Sequence, residues 1–415
     1  MKILFSTFGS LGDLHPYLAL ALEAKKRGHS PILATAPKYR AKIEKLGLGF
    51  RAVRPDLPSE DDFAPLAKRV MNLQDGPRYL FQDVLSPALR DSYADLLVAS
   101  EDADILISHP AAMAGPLVAQ KLGKKWLSSV LAPISLWSKL DPPVPPTVPH
   151  LDFLRALGPI WPMIMFSLGR AGTAPWVAEV GKLREEIGVP SLGHPMFEGQ
   201  YSPFGTLALF SKHFAAPQRD WPQNTTATGF CFYDSEGYSD QKDESWREWI
   251  YNGDKPIVFT LGSSAVFDAG DFWQESVSVA HDYEKRAVLL TGKAPPIEHL
   301  PDTVLQLDYA PHSEIFPLAQ LIVHQGGAGT TAQALRAGVP QIVMPFAHDQ
   351  PDHARRLEKL GVGLGVTRRN YGGQEFESIF DNFAPFEKNA AQLGEKIRAE
   401  NGPRVACEAI EKLSE

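Results

Sequence analysis

The first 35 residues alternate a strand, a turn and a helix in a way that a parallel sheet accommodates. Residues 2–6 (KILFS) predict a short buried strand, and residues 9–13 (GSLGD) predict a glycine turn. Apolar residues at helical spacing follow from 15 to 27, Gly28 ends this helix, and residues 31–35 begin a second strand. Because a crossover helix returns the chain to the same end of the sheet, the two strands run parallel.

The same alternation recurs along the chain. Strands are predicted in the first half at 104–108, 125–130 and 206–210, and the last of these precedes a polar, turn-rich stretch at 217–224. In the second half, strands are predicted at 256–261, 287–291, 304–307, 321–324 and 341–344, and helices at 272–282, 330–337 and 403–413. We therefore expect an α/β fold with two doubly wound parallel-sheet domains facing each other across a cleft. The first spans 1–218, the second 219–395, and a terminal helix within 396–415 packs back toward the first.

Composition excludes several classes of protein. Lys and Arg number 41 and Asp and Glu 49, so the net charge of −8 argues against nucleic-acid binding. Only Cys231 and Cys407 are present, which excludes a disulfide framework and a cysteine-ligated zinc site. No signal peptide is recognisable, and the most apolar later stretch, 153–168, is shorter than the roughly 20 residues of a membrane span. We expect a cytoplasmic protein without a transmembrane segment.

A proline-rich segment and an apolar segment stand in the middle of the chain. Six prolines lie within 133–149, which precludes a regular helix there. The apolar residues that follow, 151–169, are equally compatible with a core helix and with the wall of a pocket for an apolar ligand. Contact of this segment with a membrane surface is compatible with both interpretations.

The segment 323–350 (VHQGGAGTTAQALRAGVPQIVMPFAHDQ) carries the most chemical information. A buried strand ends at His324, and Gly326, Gly327 and Gly329 let the backbone approach a ligand closely. Thr330 stands at the start of a helix, where free N–H groups and the positive end of the helix dipole form an anion site. His324 is expected to add a donor to the same phosphate.

A carboxylate and an amide follow the next strand. Asp349 and Gln350 come after strand 341–344, one βα unit beyond the glycine loop. Ligands of open α/β sheets bind at the carboxyl ends of the strands, so the loop and this pair should share a site. An amide and a carboxylate together donate to and accept from sugar hydroxyls. A phosphate cradle beside a hydroxyl clamp predicts a nucleotide-sugar ligand.

The chain resembles one protein family over its whole length, and two stretches carry this resemblance. The amino-terminal FGSLGDLHPYLALALEAKKRGH and the segment 308–350 resemble glycosyltransferase family 1, in the bacterial branch of macrolide, glycopeptide, sterol and rhamnolipid glycosyltransferases. This resemblance implies the GT-B fold, with two facing Rossmann-like domains, and an NDP-sugar-dependent hexosyltransferase. It also implies that no cofactor or metal is required beyond the nucleotide-sugar co-substrate.

The resemblance assigns a role to individual positions. Tyr309 matches the aromatic residue that stacks on the base, and His312 the position whose backbone meets it. Gln333 stands where many relatives have a glutamate for the ribose, and Asp349 with Gln350 matches the pair that holds the sugar. His324 matches the histidine that binds the diphosphate. The full set expected around the donor is Gly12, Ser263, Ser264, Tyr309, His312, His324, Gly326, Gly327, Ala328, Gly329, Thr330, Gln333, Asp349 and Gln350.

Candidate catalytic residues lie in the amino-terminal half. Asp13 matches the acidic position of bacterial relatives and is expected to be the base that takes the acceptor proton; its alternative role is to cap the following helix. His15 either assists Asp13 or has a helix-capping or surface role, and His109 either assists Asp13 or only lines the cleft. The pair Asp102 and Asp104 resembles a metal-binding motif but precedes its strand, at the wrong edge of the sheet.

Together these features predict an inverting glycosyltransferase that moves a sugar from a UDP- or dTDP-sugar to a hydroxyl of an apolar small molecule or lipid. A sugar-nucleotide epimerase of the same fold and a non-catalytic partner subunit are the alternatives. Turnover without an acceptor would identify the epimerase, and loss of the base or the sugar pair would identify the subunit. Monomer and homodimer are both compatible with the sequence.

Overall fold

A computed structural model describes residues 1–58, 62–233, 245–292 and 294–414. The strands are β1 Lys2–Ser6, β2 Ser30–Thr35, β3 Gly49–Ala52, β4 Ile105–Ser108, β5 Trp126–Val130, β6 Thr206–Ala208, β7 Thr225–Ala227, β8 Ile257–Thr260, β9 Ala287–Leu290, β10 Val304–Leu307, β11 Leu321–His324, β12 Gln341–Val343 and β13 Gly363–Gly365. The helices are α1 Leu11–Lys26, α2 Arg40–Lys45, α3 Ala64–Val70, α4 Gly76–Arg78, α5 Leu89–Ser100, α6 Ala114–Leu122, α7 Ile160–Thr173, α8 Ala178–Ile187, α9 Ser245–Tyr251, α10 Gly262–Ala265, α11 Phe272–Asp282, α12 His312–Ile315, α13 Ala328–Ala337, α14 Gln350–Leu360, α15 Gln374–Asp381, α16 Phe383–Arg398 and α17 Gly402–Ser414. Short 3₁₀ turns and one π-helical segment, Tyr79–Leu85, connect them.

The chain divides into two compact units, Met1–Phe232 with Glu400–Glu415, and Tyr233–Ala399. Each contains one parallel sheet with helices, so both have the doubly wound α/β architecture that the sequence predicts. The predicted ranges also include residues 59–61, 234–244, 293 and 415, which lie outside the described residues.

The first sheet has the strand order β3-β2-β1-β4-β5-β6-β7, and all its pairs are parallel. Strand β1 is almost entirely buried and pairs on both sides, with Ile3 opposite Pro31 of β2 and Ile105 of β4. The prediction that 206–210 is the last strand of this half is wrong, because β7, which follows the turn-rich stretch, pairs with β6 through three residues. Residues 219–232 therefore belong with the first unit.

The second sheet has the order β10-β9-β8-β11-β12-β13, again all parallel. Strands β8, β9 and β11 are buried along their whole length, as their continuous apolar runs indicate. The strand order reverses between β8 and β11, so the crevice for a ligand is expected beside their carboxyl ends.

The terminal helix α17 packs on α1 within the first unit. Glu411 accepts hydrogen bonds from Arg27 Nε at 2.8 Å and from Arg27 Nη2, and its Oε1 lies 2.8 Å from His29 Nε2. The Cys407 thiol donates to the Leu20 carbonyl. The bidentate pair of Arg27 and Glu411 holds α17 on the amino-terminal βαβ unit.

Segment 151–169 lies mostly in α7 and the 3₁₀ segment before it, and both interpretations of this segment apply in part. Trp161 and Phe166 are buried, so one face of α7 belongs to the core. The opposite face of α7 is apolar and exposed, and comprises Ile160, Met163, Ile164 and Leu168. Phe153 and Leu157 of the 3₁₀ segment Pro149–Leu157 are also apolar and exposed. Among the described residues, no helix combines the length and the apolar character needed to cross a bilayer.

Candidate functional site

Two loops meet at the point where the strand order of the second sheet reverses. Strand β8 runs into α10, and its neighbour β11 runs through Gln325, Gly326 and Gly327 into α13. Gly327 occupies the N-cap of α13 and has no side chain, so it offers no oxygen to the first N–H groups of that helix. These groups and the helix dipole make the loop suited to an anion. The sequence-predicted cradle of Gly326, Gly327, Ala328, Gly329 and Thr330 lies here.

Gly326 is the loop position where no other residue fits. Its φ is +89°, a left-handed conformation. A β-carbon there would stand 2.7 Å from Val343 Cγ1 and 3.3 Å from the Gln350 carbonyl oxygen. The loop therefore packs closely against both β12 and α14 through bare backbone.

His324, at the end of β11, holds this loop by a hydrogen bond. Its ring is fully buried; Nδ1 accepts the N–H of Gly326 at 3.0 Å, and Nε2 lies 2.8 Å from Gln341 Oε1 and donates to it. Burial lowers the pKa of His324 to about 4, so the ring is neutral near pH 7. A phosphate contact from this ring would break one of these two bonds. The role of diphosphate donor stays a prediction, and the observed geometry is that of a loop support.

Gln325 is a residue of this site that the sequence analysis missed. Its side chain is only 7% exposed, and its Oε1 has no hydrogen-bond partner among the described residues. Its Nε2 lies where a β-carbon on Gly262 would overlap it, and 2.8 Å from where one on Gly327 would stand. The amide thus lies between the ends of β8 and β11. Gln325 directly follows β11, and side chains alternate between the two faces along a strand. Extending this alternation by one residue beyond His324 could have identified it.

Asp349 and Gln350 stand at the start of α14, beside the glycine loop. Gln350 Oε1 accepts hydrogen bonds from the N–H groups of Phe346 at 2.7 Å and Ala347 at 3.1 Å. The amide oxygen therefore stabilises the loop that leads into α14. The Asp349 side chain is 23% exposed, and its Oδ2 lies 3.6 Å from Nε2 of the buried His353. Of the predicted pair, the carboxylate is the member that reaches the surface. His353 was also missed by the sequence analysis, since a lone histidine within a helix gives no signal.

The remaining predicted donor residues surround the end of the sheet. Tyr309 is 47% exposed and follows β10. His312 begins α12, and its ring stacks on Phe316 at a centroid distance of 4.3 Å. Ser263 is exposed and Ser264 buried in α10, while Gln333 is half-buried in α13.

The first unit places Asp13 in the loop after β1. It is the third residue of α1, and its Oδ2 accepts from the N–H of Ser10 at 2.8 Å and the hydroxyl of Ser10 at 3.1 Å, completing a capping box. Tyr39 donates its hydroxyl to the Gly9 carbonyl at 2.8 Å, which holds the loop from the other side. The N-cap is Ser10 and not Asp13, which takes part in capping as the third helical residue, and Gly12 stands beside it in the same turn. A fixed, half-buried carboxylate is also suited to act as a base.

His15 and His109 occupy different positions around this loop. His15 Nε2 accepts from Lys42 Nζ at 3.0 Å, so this ring packs toward α2. His109 follows β4, next to β1 in the sheet; its Nδ1 accepts the N–H of Ala111 at 3.3 Å and its ring lies edge-on to Tyr17. Burial lowers the pKa of His109 to about 4, so its neutral ring offers one N–H, at Nε2. Asp13 and His109 flank the strand-order reversal of the first sheet, as the glycine loop does in the second.

The acidic pair that resembles a metal motif lies at the opposite edge. Asp104 Oδ2 accepts the N–H of Lys2 at 2.7 Å, and Asp102 pairs with Lys2 Nζ at 2.9 Å. Both precede β4, at the amino-terminal ends of the strands. Over the part of the chain that the structure describes, no three His, Cys, Asp or Glu side chains form a group that could hold a metal ion.

Comparison with known proteins gives one family. The C-terminal domain family of erythromycin biosynthesis protein CIII-like proteins matches residues 276–413. The chain is 30% identical over 434 residues to the O-mycaminosyltylonolide 6-deoxyallosyltransferase of Streptomyces fradiae, covering 100% of this chain and 98% of that protein. It is 28% identical over 440 residues to the sterol 3-beta-glucosyltransferase of Leptosphaeria maculans, covering 99% of this chain but only 28% of the much longer fungal protein.

Solved structures show the same fold. The glycosyltransferase of kitacinnamycin superposes with a TM-score of 0.72 at 20% identity, covering 99% of this chain and 98% of that chain. The spinosyn rhamnosyltransferase SpnG in complex with thymidine diphosphate superposes with a TM-score of 0.68 at 18% identity, covering 99% and 100%.

Proposed function

The chain belongs to glycosyltransferase family 1, and on that premise we propose that it transfers a sugar from a UDP- or dTDP-sugar to a hydroxyl of an apolar acceptor. The observation that carries this proposal is the position of two polar loops. Each unit presents one at the point where its strand order reverses, with a carboxylate in the first unit and a bare-backbone anion site in the second.

The donor is proposed to lie along the second sheet. The diphosphate occupies the N-terminus of α13 and is contacted by the Gln325 amide, while Ser263 and Ser264 approach it from the end of β8. The base stacks on the exposed ring of Tyr309, and Asp349 accepts from sugar hydroxyls. The thymidine diphosphate held by the spinosyn rhamnosyltransferase supports dTDP as one of the two candidate nucleotides.

The acceptor is proposed to be a macrolide-like or sterol-like molecule, the classes named for the two relatives. A pocket beside the carboxyl ends of β1 and β4 supports an apolar acceptor, because its lining is mostly apolar. Its apolar lining includes Phe8, Val53, Leu85, Leu89, Leu96 and Met113. Leu85 ends the π-helical segment, a departure from regular helix that often accompanies functional sites.

The proposed reaction is a single displacement with inversion. Asp13 takes the proton of the acceptor hydroxyl as its oxygen forms a bond to the anomeric carbon of the donor. The bond from that carbon to the diphosphate oxygen breaks, and the electron pair leaves with the diphosphate. The N–H groups at the start of α13 stabilise the negative charge that develops there.

Replacing the proposed base tests this function. Asp13→Asn keeps an oxygen for the Ser10 cap but removes the base, so transfer should fall by roughly 10²–10⁴-fold. The affinity for UDP or dTDP, measured by calorimetry, should stay within about twofold since the donor site is untouched. Asp102→Asn is the matched control, at the other edge of the sheet, and should retain full transfer.

Retained transfer in Asp13→Asn would refute the assignment of the base. The anomeric configuration of the product, read by NMR, tests inversion separately. Release of nucleoside diphosphate that requires the acceptor excludes epimerase chemistry, which proceeds on the nucleotide sugar alone.

A further inference from the structure

One arginine of the second unit joins the two loops that flank the glycine loop. Arg368 follows the edge strand β13 and begins a short 3₁₀ turn. We infer that Arg368 is a positioning residue that holds the loop after β8 at a fixed distance from the loop after β12, so that the site fits a whole nucleotide sugar. This inference rests on the proposed function, because it concerns how the same site binds its donor.

The guanidinium of Arg368 is bound to the loop after β8 by two hydrogen bonds. Its Nη1 donates to Asp268 Oδ2 at 3.2 Å, and its Nη2 donates to the Asp268 carbonyl oxygen. Asp268 ends the 3₁₀ turn that follows α10, and its side chain is 20% exposed. Gly270 leaves space for the contact, since a β-carbon there would stand 3.0 Å from Nη2. Two donors of one planar group on two oxygens of one residue hold that residue in one orientation.

The same guanidinium lies over an aromatic ring of the loop after β12. Its Cζ is 4.8 Å from the ring centroid of Phe346, within the range of a cation–π contact. Phe346 is 4% exposed, and its N–H donates to Gln350 Oε1 at 2.7 Å. Asp349 and Gln350 are the pair proposed to hold the sugar, so the ring that Arg368 covers belongs to the loop that leads into this pair.

The strand order gives this bridge its place in the donor site. The sheet runs β8-β11-β12-β13, so the loops after β8 and β12 lie on either side of the glycine loop after β11. The loop after β8 carries Ser263 and Ser264, which are proposed to approach the diphosphate. Of these three loops, a nucleoside diphosphate would contact only those after β8 and β11, whereas a nucleotide sugar would contact all three. The distance that Arg368 sets therefore matters for the nucleotide sugar and not for the nucleotide.

Replacing Arg368 separates the affinities for these two ligands. Arg368→Met removes the hydrogen bonds and the charge but keeps a long side chain. We expect the Kd for UDP-glucose or dTDP-glucose, measured by calorimetry, to rise roughly fivefold, while the Kd for UDP or dTDP stays within about twofold. The effect is modest because the arginine side chain is 49% exposed, and ion pairs open to water contribute little. Arg368→Lys keeps the charge but not the planar fork, so it should show a similar loss.

Arg369→Met is the matched control for charge. Arg369 is the adjacent residue and is exposed, so its replacement changes the net charge equally and leaves the bridge in place. Both of its affinities should stay within about twofold of wild type. If Arg369→Met and Arg368→Met weaken binding of UDP or dTDP alike, general attraction of the phosphates accounts for the effect and the inference is overturned.

A double-mutant cycle with Asp268 distinguishes the bridge from a direct contact between Arg368 and the donor. Asp268→Ala loses the Oδ2 contact and keeps the carbonyl, so alone it should weaken nucleotide-sugar binding roughly threefold, and the double variant should lose no more than Arg368→Met. Losses that multiply, or unchanged nucleotide-sugar affinity in Arg368→Met, would overturn the inference while leaving the proposed function intact. Wild-type protein that binds neither these nucleotides nor their sugars would overturn both.

Discussion

Substitution of Gly326 by alanine isolates what the bare backbone contributes to the donor site. The left-handed φ of +89° costs a non-glycine residue about 1–2 kcal/mol. The added β-carbon would stand 2.7 Å from Val343 Cγ1, inside the van der Waals separation of two carbons, and such overpacking costs a further 1–3 kcal/mol, roughly. We therefore expect Gly326→Ala to lower the free energy of unfolding by about 2–5 kcal/mol.

Gly372→Ala is the matched control in the same unit. Its φ of +83° carries the same conformational cost, but a β-carbon there comes no closer than 3.4 Å to Val279. It should lose only about 1–2 kcal/mol. Urea denaturation followed by tryptophan fluorescence measures both, and calorimetry with UDP or dTDP should show at least a roughly tenfold loss of affinity for Gly326→Ala alone. Equal stabilities of the two variants, or unchanged nucleotide affinity in Gly326→Ala, would refute this reasoning.

Three further outcomes are expected. Tyr309→Ala should weaken UDP or dTDP binding roughly tenfold and Tyr309→Phe by less than about twofold, because only the ring face stacks; equal losses, measured by calorimetry, would exclude stacking. Gln341→Leu leaves the buried Nε2–H of His324 unpaired and should cost about 1–3 kcal/mol of stability in a denaturation titration, whereas no loss would argue against the observed hydrogen bond. Arg27 lowers the pKa of Glu411 to about 2, so the stability from this pair is present above pH 4–5 or so and lost as the pH falls toward 2; Glu411→Gln should flatten the acid limb of a thermal-unfolding profile, and an unchanged limb would contradict it.

Much of the fold could be predicted because its signals are local. Strand β11 occurs where the continuous apolar run 321–324 places it, and α11 has the predicted bounds 272–282. Glycines that need a positive φ, such as Gly326, mark loops regardless of what surrounds them. These features depend on residues adjacent in the chain, so the sequence alone determines them.

Elements stabilised by distant partners could not be predicted. Strands β7 (TTA) and β13 (GLG) lack the apolar run that indicated β6 and β12, and they form because β6 and β12 offer an edge to pair with. The ring of His324 lies on the predicted strand, yet its orientation depends on Gln341 across the sheet. His353 cannot be identified from the sequence for the same reason, since its hydrogen bond to the Gly326 carbonyl depends on how α14 packs.

The orientation of these rings changes how the anion site is understood. A histidine that points at a phosphate adds charge only when it is protonated, and burial keeps His324 neutral near pH 7. In the proposed function, its contribution to binding comes from holding the Gly326 peptide, so that the N–H groups at the start of α13 are already placed for a ligand. A loop ordered during folding loses no conformational entropy when the donor binds. Hydrogen bonds with two buried imidazoles thus hold Gly326, and the proposed diphosphate site depends on backbone geometry rather than on side-chain charge.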